Sequence, residues 1–277
     1  PKGTRDNILG GSATFFSIAA AKYNPINLIG IVGDDFPQEG WELFKKYNIN
    51  TDLVTIEKGS TFNWGGKYSE DYSTRETLYT NLGVFENYIP NIKDSISTEY
   101  LYLGNIQPSL QLEVIKQVRN KKRIVSDTMN LWINLDIDGL WEVIKKSNIF
   151  LLNDEEAMEL TNKKNLKEIG SDLLKLGPDI VIIKKGAKGC ILMSNKQTLE
   201  IPVFDQIDLF DPTGAGDSFA GGLVGYFSKH GEDNLEEALI HASVTASYTV
   251  SAFGVDGLVS CTEDSFKSRC QYIKSKL

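Results

Sequence analysis

From residue 99 onward one pattern repeats. The strand-length apolar runs YLYLGN, RIVSD, NIFLLN and DIVIIKKG alternate with segments of helical spacing such as SLQLEVIKQVRN and LKEIGSDLLKL. That alternation predicts βαβ units, hence an α/β fold with a central, mostly parallel sheet and helices on both faces. Ligands of such sheets bind at the carboxyl ends of the strands. The polar residues that close the runs, Asn105, Asp127, Asn153 and Lys184, are therefore expected on one rim. With 277 residues the chain suits one large domain with a smaller appendage better than two equal domains.

Residues 51–92 break the pattern. TDLVTI, TFNWGGKYSE, TRETLYTNL and VFENYI carry β-branched and aromatic residues in short runs separated by turn residues, with no helical period. A small β-sheet is expected there, inserted in a main body made of residues 1–50 and 93–277.

The net charge of -8 argues against a nucleic-acid surface, and the one dense basic run, RNKKR at 119–123, reads as a solvated link into the strand IVSD. Three cysteines at irregular spacing, with no CxxC pair, read as reduced thiols of a cytoplasmic protein. No apolar run approaches the roughly 18 residues of a membrane span, and the chain opens on polar residues, so neither an anchor nor a signal peptide is expected. His230 and His241 are too few for a His-rich metal site and read as surface or helix-end residues. GSTFNWGGKY at 59–68 misses the phosphate-loop spacing and has Tyr68 where Ser or Thr would bind Mg²⁺.

The chemistry concentrates in DPTGAGDSFAGG, residues 211–222. Gly214 and Gly216 allow a turn whose N–H groups converge on an anion, and Asp217 follows at once. SFAGGLVGYF then reads as a buried helix whose positive end points at the same anion, which also favours an ionised Asp217 at neutral pH. Gly221 and Gly222 inside that helix cost about 1 kcal/mol each relative to Ala, a sign that a nucleotide or a neighbouring element packs on its backbone. The plainer account is a glycine-rich loop before a core helix, with Asp217 as an N-cap.

This stretch resembles the C-terminal signature of the ribokinase, or PfkB, family of carbohydrate and nucleoside kinases. The resemblance implies that residues 214–217 form the anion hole for the transferred phosphoryl group, through the amides of Ala215, Gly216 and Asp217. It makes Asp217 the base that deprotonates the substrate hydroxyl, and sets Thr213 beside the nucleotide. Gly10 and Gly11 resemble the family's N-terminal Gly-Gly motif, which lies against the sugar. Phe15 stands where the ribokinase version has an Asn, which suits a base, an aglycone or a less polar sugar better than a bare pentose. LIGIVGDDFP (28–37) is similar to the VGxDxxG segment. Family members begin with a strand that enters the sheet, so the chain is expected to lack an N-terminal strand and one substrate contact.

The resemblance also makes residues 51–92 a lid over the sugar, with Asn63, Trp64, Lys67 and Arg75 as substrate contacts and Asn105 as a rim contact. Ordinary exposed sheet or a homodimer surface explains the same lid residues equally well. Asn153 and Glu156 match the NxxE motif that positions Mg²⁺ and phosphate, with Glu156 acting through water; helix capping by the same pair is the competing account. KKGAKGC resembles a nucleotide segment in which Lys184 replaces the commoner Thr or Ser, and Gly186 and Gly189 match; a hairpin turn accounts for the glycines as well. Asp211, with carbonyls of the later loop SAFG, fits a monovalent cation such as K⁺.

The expectation is an ATP- and Mg²⁺-dependent kinase for the hydroxymethyl group of a sugar or sugar-like alcohol. An adenosine-type nucleoside kinase and a catalytically silent sugar or nucleotide sensor are the alternatives.

Overall fold

The computed structural model describes residues 2–70, 72, 74–92 and 96–277. The chain opens with α1 (Ser12–Ala20), β1 (Ile26–Gly33), α2 (Gln38–Lys46) and β2 (Ile49–Glu57), then the strands β3 (Asn63–Tyr68) and β4 (Arg75–Asn81). Next come β5 (Ser97–Leu103), α3 (Pro108–Gln117), β6 (Asn120–Ser126), α4 (Asn130–Leu135), α5 (Ile137–Lys146) and β7 (Ile149–Asn153). α6 (Asp154–Thr161), α7 (Leu166–Leu174), β8 (Ile180–Lys184), β9 (Cys190–Ser194) and β10 (Thr198–Ile201) complete the sheet. Four helices follow: α8 (Ala215–His230), α9 (Leu235–Thr249), α10 (Asp256–Ser260) and α11 (Glu263–Lys274).

The six-stranded sheet runs β10-β9-β8-β7-β6-β5, with β5 to β8 mutually parallel, β9 antiparallel to β8 and β10 antiparallel to β9. Its middle strands are apolar throughout because both faces are covered. Ile149 and Leu151 of β7 and Ile180 and Ile182 of β8 point into a core shared with α1, α8 and α9. Phe150, Leu152, Val181 and Ile183, one residue out of phase, pack on the other face with α5, α6 and α7. Such strands read as continuous hydrophobic runs, which is why they stood out in the sequence.

The two glycines inside α8 answer to neighbouring helices. A Cβ on Gly221 would lie 2.7 Å from the Phe16 carbonyl oxygen of α1, and one on Gly222 would lie 2.5 Å from Thr245 Oγ1 of α9. Stacking of Phe16 on Tyr102, with ring centroids 3.8 Å apart, ties α1 to β5. These contacts fix the start of α8 relative to the strand ends.

The early strands depart from expectation. β2, expected in the inserted sheet, pairs in parallel with β1 through the crossover α2. Its β-branched run fits a parallel strand and a lid strand alike, so local composition does not separate them. The hairpin β3-β4 forms a two-stranded sheet by itself. It is rooted on the end of β1: Thr61 donates both its N–H (2.7 Å) and its hydroxyl (2.6 Å) to Asp35, and Gly59 N–H donates to Asp34. The boundary expected at residue 93 lies outside the described residues.

The basic run at 119–123 is not a solvated link. Asn120 opens β6; Lys121 donates to the Ile115 and Val118 carbonyls at the end of α3, and Arg123 grips both carboxylate oxygens of Glu232. His230 is exposed at the end of α8, whereas His241 sits among Tyr23, Tyr226 and Phe266, where burial pulls its pKa down to about 4. No helix among the described residues is long and apolar enough to cross a membrane.

Candidate active site

The signature turn is built over an aromatic ring. Gly214 adopts φ 78° at the start of α8, a left-handed conformation that favours glycine, and a Cβ there would lie 2.3 to 2.4 Å from the ring atoms of Phe15. Phe15 itself is 1 % exposed. Expected as a flat substrate contact, it is instead the floor of the turn, because its place on the inner face of α1 directs the ring under Gly214. Gly10 borders the same ring, 3.7 Å from its would-be Cβ, and Gly11 (φ 87°) starts α1. The two glycine motifs, some 200 residues apart in sequence, thus meet across one side chain.

α8 begins with amides that have no carbonyl one turn back. Ser218 N–H closes the first bond, to Gly214, and Ala215 N–H donates to Pro212 at 3.1 Å. Of the three amides expected to face an anion, that of Ala215 is therefore turned into the bend and that of Asp217 bonds its own carboxylate.

Asp217 lies in the first turn of α8 and accepts a hydrogen bond from Ser12 at the start of α1. Burial pushes its pKa up to about 6, and the negative charge of Asp127 adds to the rise, while Ser12 and Lys184 pull it back. The direction is opposite to what the helix end alone gives, since desolvation outweighs the dipole. The carboxylate is still mostly ionised at neutral pH.

Lys184 closes the far side of the turn. Its ammonium sits 3.1 Å from a would-be Cβ on Gly216 and donates to Asp127 Oδ2 at 2.7 Å, with side-chain exposures of only 17 % and 5 % for the pair. Burial works against the Lys184 charge, but Asp127 and Glu156 outweigh it and hold its pKa above the usual value. Lys184 therefore remains an ammonium beside the anion turn.

Asn153 and Glu156 form a reciprocal capping box at the start of α6: Glu156 N–H donates to Asn153 Oδ1 and Asn153 N–H donates to Glu156 Oε2, both at 2.7 Å. Capping, the competing account of this motif, is thus present. Glu156 is 5 % exposed, and burial raises its pKa to about 7, with Lys184 opposing and Asp127 reinforcing the rise. Gly186 (φ 53°) and Gly189 (φ 83°) form the turn of the β8-β9 hairpin. Asp211 accepts from Thr213 N–H at 2.9 Å and lies beside Val250, next to the 251–254 loop.

The remaining expected contacts are spread out. Asn105 has both ends of its amide engaged, accepting from Trp132 Nε1 at 2.8 Å and donating to Met129 sulfur. In the hairpin, Asn63 is exposed and bonds the Thr61 carbonyl, Trp64 Nε1 donates to Thr77, and Arg75 lies over the Trp64 ring at 5.2 Å. Lys67 is exposed. One hairpin residue that carried no sequence signal does reach the turn: the Tyr68 hydroxyl is 3.0 Å from Thr213 Oγ1. Ser12 and Tyr102 were also missed, although Ser12 directly follows the Gly-Gly pair. Tyr102 Oη is buried without a hydrogen-bond partner, close enough to Asp127 and Asp217 to feel both charges.

A glycine bend, an acid, a sheltered ammonium and a capped glutamate thus lie together at the strand ends, and the family model for pfkB carbohydrate kinases matches residues 4–260. The chain belongs to that family. A cytidine kinase of Thermococcus kodakarensis is 27% identical over 238 residues, covering 83% of this chain and 84% of its own. The nucleoside kinase of Methanocaldococcus jannaschii, an archaeal member of the ribokinase family, superposes with a TM-score of 0.80 over 98% of this chain and 92% of its own, at 23% identity. The aminoimidazole riboside kinase of Salmonella enterica, solved with aminoimidazole riboside and an ATP analog, gives a TM-score of 0.76 over 97% and 95%, at 19% identity. The fold is that of ribokinase-like kinases.

Proposed function

We propose that this member of the family transfers the γ-phosphoryl group of ATP to a hydroxymethyl-type alcohol of a sugar or nucleoside, with Asp217 as the base. The observation that carries this reading is Asp217 in the first turn of α8, held by Ser12 and flanked by the glycine bend and Lys184. The Asp217 carboxylate takes the proton of the acceptor hydroxyl as its oxygen bonds to the γ-phosphorus and the bond to the ADP oxygen breaks. The amide of Gly216, the end of α8 and Lys184 lower the energy of the charge on the phosphoryl oxygens in flight. Gly10 and Gly11 let the acceptor approach the backbone, and Thr213, Asn153 and the Gly186–Gly189 turn border the nucleotide side.

Among the described residues no three acidic, histidine or cysteine side chains are grouped to hold a metal by themselves. The buried carboxylate of Glu156 fits Mg²⁺, which is usually carried by phosphates and water with one or two carboxylates. Glu156, with one oxygen engaged in its cap, is the residue placed to hold such a water, and the ion would neutralise phosphate charge. For K⁺ we propose Asp211 with carbonyls of the 251–254 loop; replacing K⁺ by Na⁺ in the assay is expected to lower turnover several-fold, and equal rates in the two salts would remove that site.

A nucleoside is the acceptor favoured by the cytidine and nucleoside kinases among the relatives and by the aromatic hairpin. Scoring a panel of sugars and nucleosides by ATP consumption separates the two. In Asp217→Asn we expect ATP binding to persist and turnover to fall by several orders of magnitude; a variant as active as the parent would end the base assignment. An intact Asp217 argues against a silent sensor. The free thiols Cys190, Cys261 and Cys270 suit the cytoplasm. Exposed Leu78 and Tyr79 suit pairing of two copies through the hairpin.

A further inference from the structure

We infer that Asp127 is a positioning residue of this site: it pins the Lys184 ammonium against the glycine bend and sets the charge around Asp217. The inference rests on the kinase reading above. Asp127 is held on every side. Its Oδ2 accepts from Lys184 at 2.7 Å and its Oδ1 from Thr128 N–H at 2.9 Å. Its own N–H donates to the Leu103 carbonyl at 3.1 Å. Its carbonyl accepts from Gln111 Nε2 at 3.1 Å, and the same amide nitrogen donates to the Gly104 carbonyl at 2.8 Å. Gln111 is 1 % exposed. A rigid arm therefore runs from the end of β5, through Gln111 and Asp127 at the end of β6, to Lys184 at the end of β8 and on to Gly216.

Lys184 has a long, flexible side chain, and without such an anchor it has other carboxylates within reach. Glu156 of α6 and Asp217 of α8 both interact with its charge. Pairing with Asp127 at 2.7 Å selects one orientation among these, the one that leaves the ammonium beside Gly216 and leaves Asp217 unpaired for its proton. The groups that face Asp217 are Asp127 from β6, Lys184 from β8, Ser12 from α1 and Tyr102 from β5. Glu156 faces Lys184 and Asp127 from α6. Of the two charged residues acting directly on Asp217, Asp127 makes it more basic and Lys184 less so.

Opposite signs give the test its power. Asp127→Asn removes a negative charge and frees Lys184, so the acid limb of the kcat–pH profile should move down by on the order of half a pH unit or more. Lys184→Met removes a positive charge and should move that limb up by a similar amount. Asp127→Asn should also raise the KM for ATP and lower kcat, together about tenfold or more, with the circular dichroism spectrum unchanged. Because Asp127 acts on ATP through Lys184, the double variant should have an ATP KM no higher than Lys184→Met alone.

Should Asp127→Asn fold poorly, Lys184→Met with Asp127 intact still reads the sign of the shift. Unchanged kcat, KM and pH profile in Asp127→Asn, both limbs moving the same way, or ATP KM losses that simply multiply in the double variant would overturn the inference. A parent chain that phosphorylates nothing on the panel would instead count against the proposed function. Loss of the inference alone shows as an active parent matched by an equally active Asp127→Asn.

Discussion

Asp217 combines two demands that pull apart. A base needs to be ionised, yet burial and Asp127 raise its pKa from 3.8 to about 6, so the folded protein holds this group in its less comfortable charged form at neutral pH. The folded chain takes up the proton between about pH 4 and pH 6 while the unfolded chain does not, and stability therefore falls as pH rises through that window. That rise in pKa corresponds to about 3 kcal/mol. Asp217→Asn is accordingly expected to be more stable than the parent at pH 8, with the gap closing by pH 4; chemical denaturation at the two pH values measures it. With Asp217 as the proposed base, activity is expected to run the other way with pH, falling as Asp217 is protonated below about pH 6. The glycine bend and the place of Asp217 beside it were legible because the motif is contiguous in sequence. Phe15 was not, because what decides its role is Gly214, brought over it by the packing of α8 on α1.

The hairpin β3-β4 touches the rest of the chain at its root and at its tip. Its root is the Asp34–Asp35 network with Gly59 and Thr61, and its reach to the signature is the Tyr68–Thr213 contact. A hydrogen bond of this kind contributes about 1 kcal/mol. Tyr68→Phe should therefore raise the KM for the acceptor a few-fold with a smaller change in kcat, and hydrogen exchange in residues 63–70 should quicken; identical exchange and KM would mean that the contact does not hold the hairpin. Composition marked this segment as a β insertion. It did not separate β2 from the hairpin, because β-branched runs suit both, and pairing with β1 is a long-range choice made through α2. The KGAKG turn shows the reverse case: Gly186 and Gly189 are accounted for by their positive φ in the β8-β9 turn, whatever else they border.

Across the whole molecule, the alternating sheet was the most legible part, since strands covered on both faces need apolar residues at every position. The rim residues Asp127, Asn153 and Lys184 followed from that topology. The hairpin is one of the places where the described residues leave apolar surface open, with Leu78 58 % and Tyr79 56 % exposed; Leu135 and Ile89 lie open elsewhere. If two copies pair there, Leu78→Asp with Tyr79→Ser should sediment as a monomer of 30.8 kDa while the parent sediments at twice that mass; a parent that is already monomeric would remove the dimer.

The ring of Phe15 lies directly beneath the bend of Gly214 and also belongs to the deepest packing of the protein. The glycine bend thus has no cushion between itself and the interior. Loosening the hydrophobic centre by heat would displace the bend before helices melt, so enzymatic inactivation should precede the loss of circular dichroism on warming.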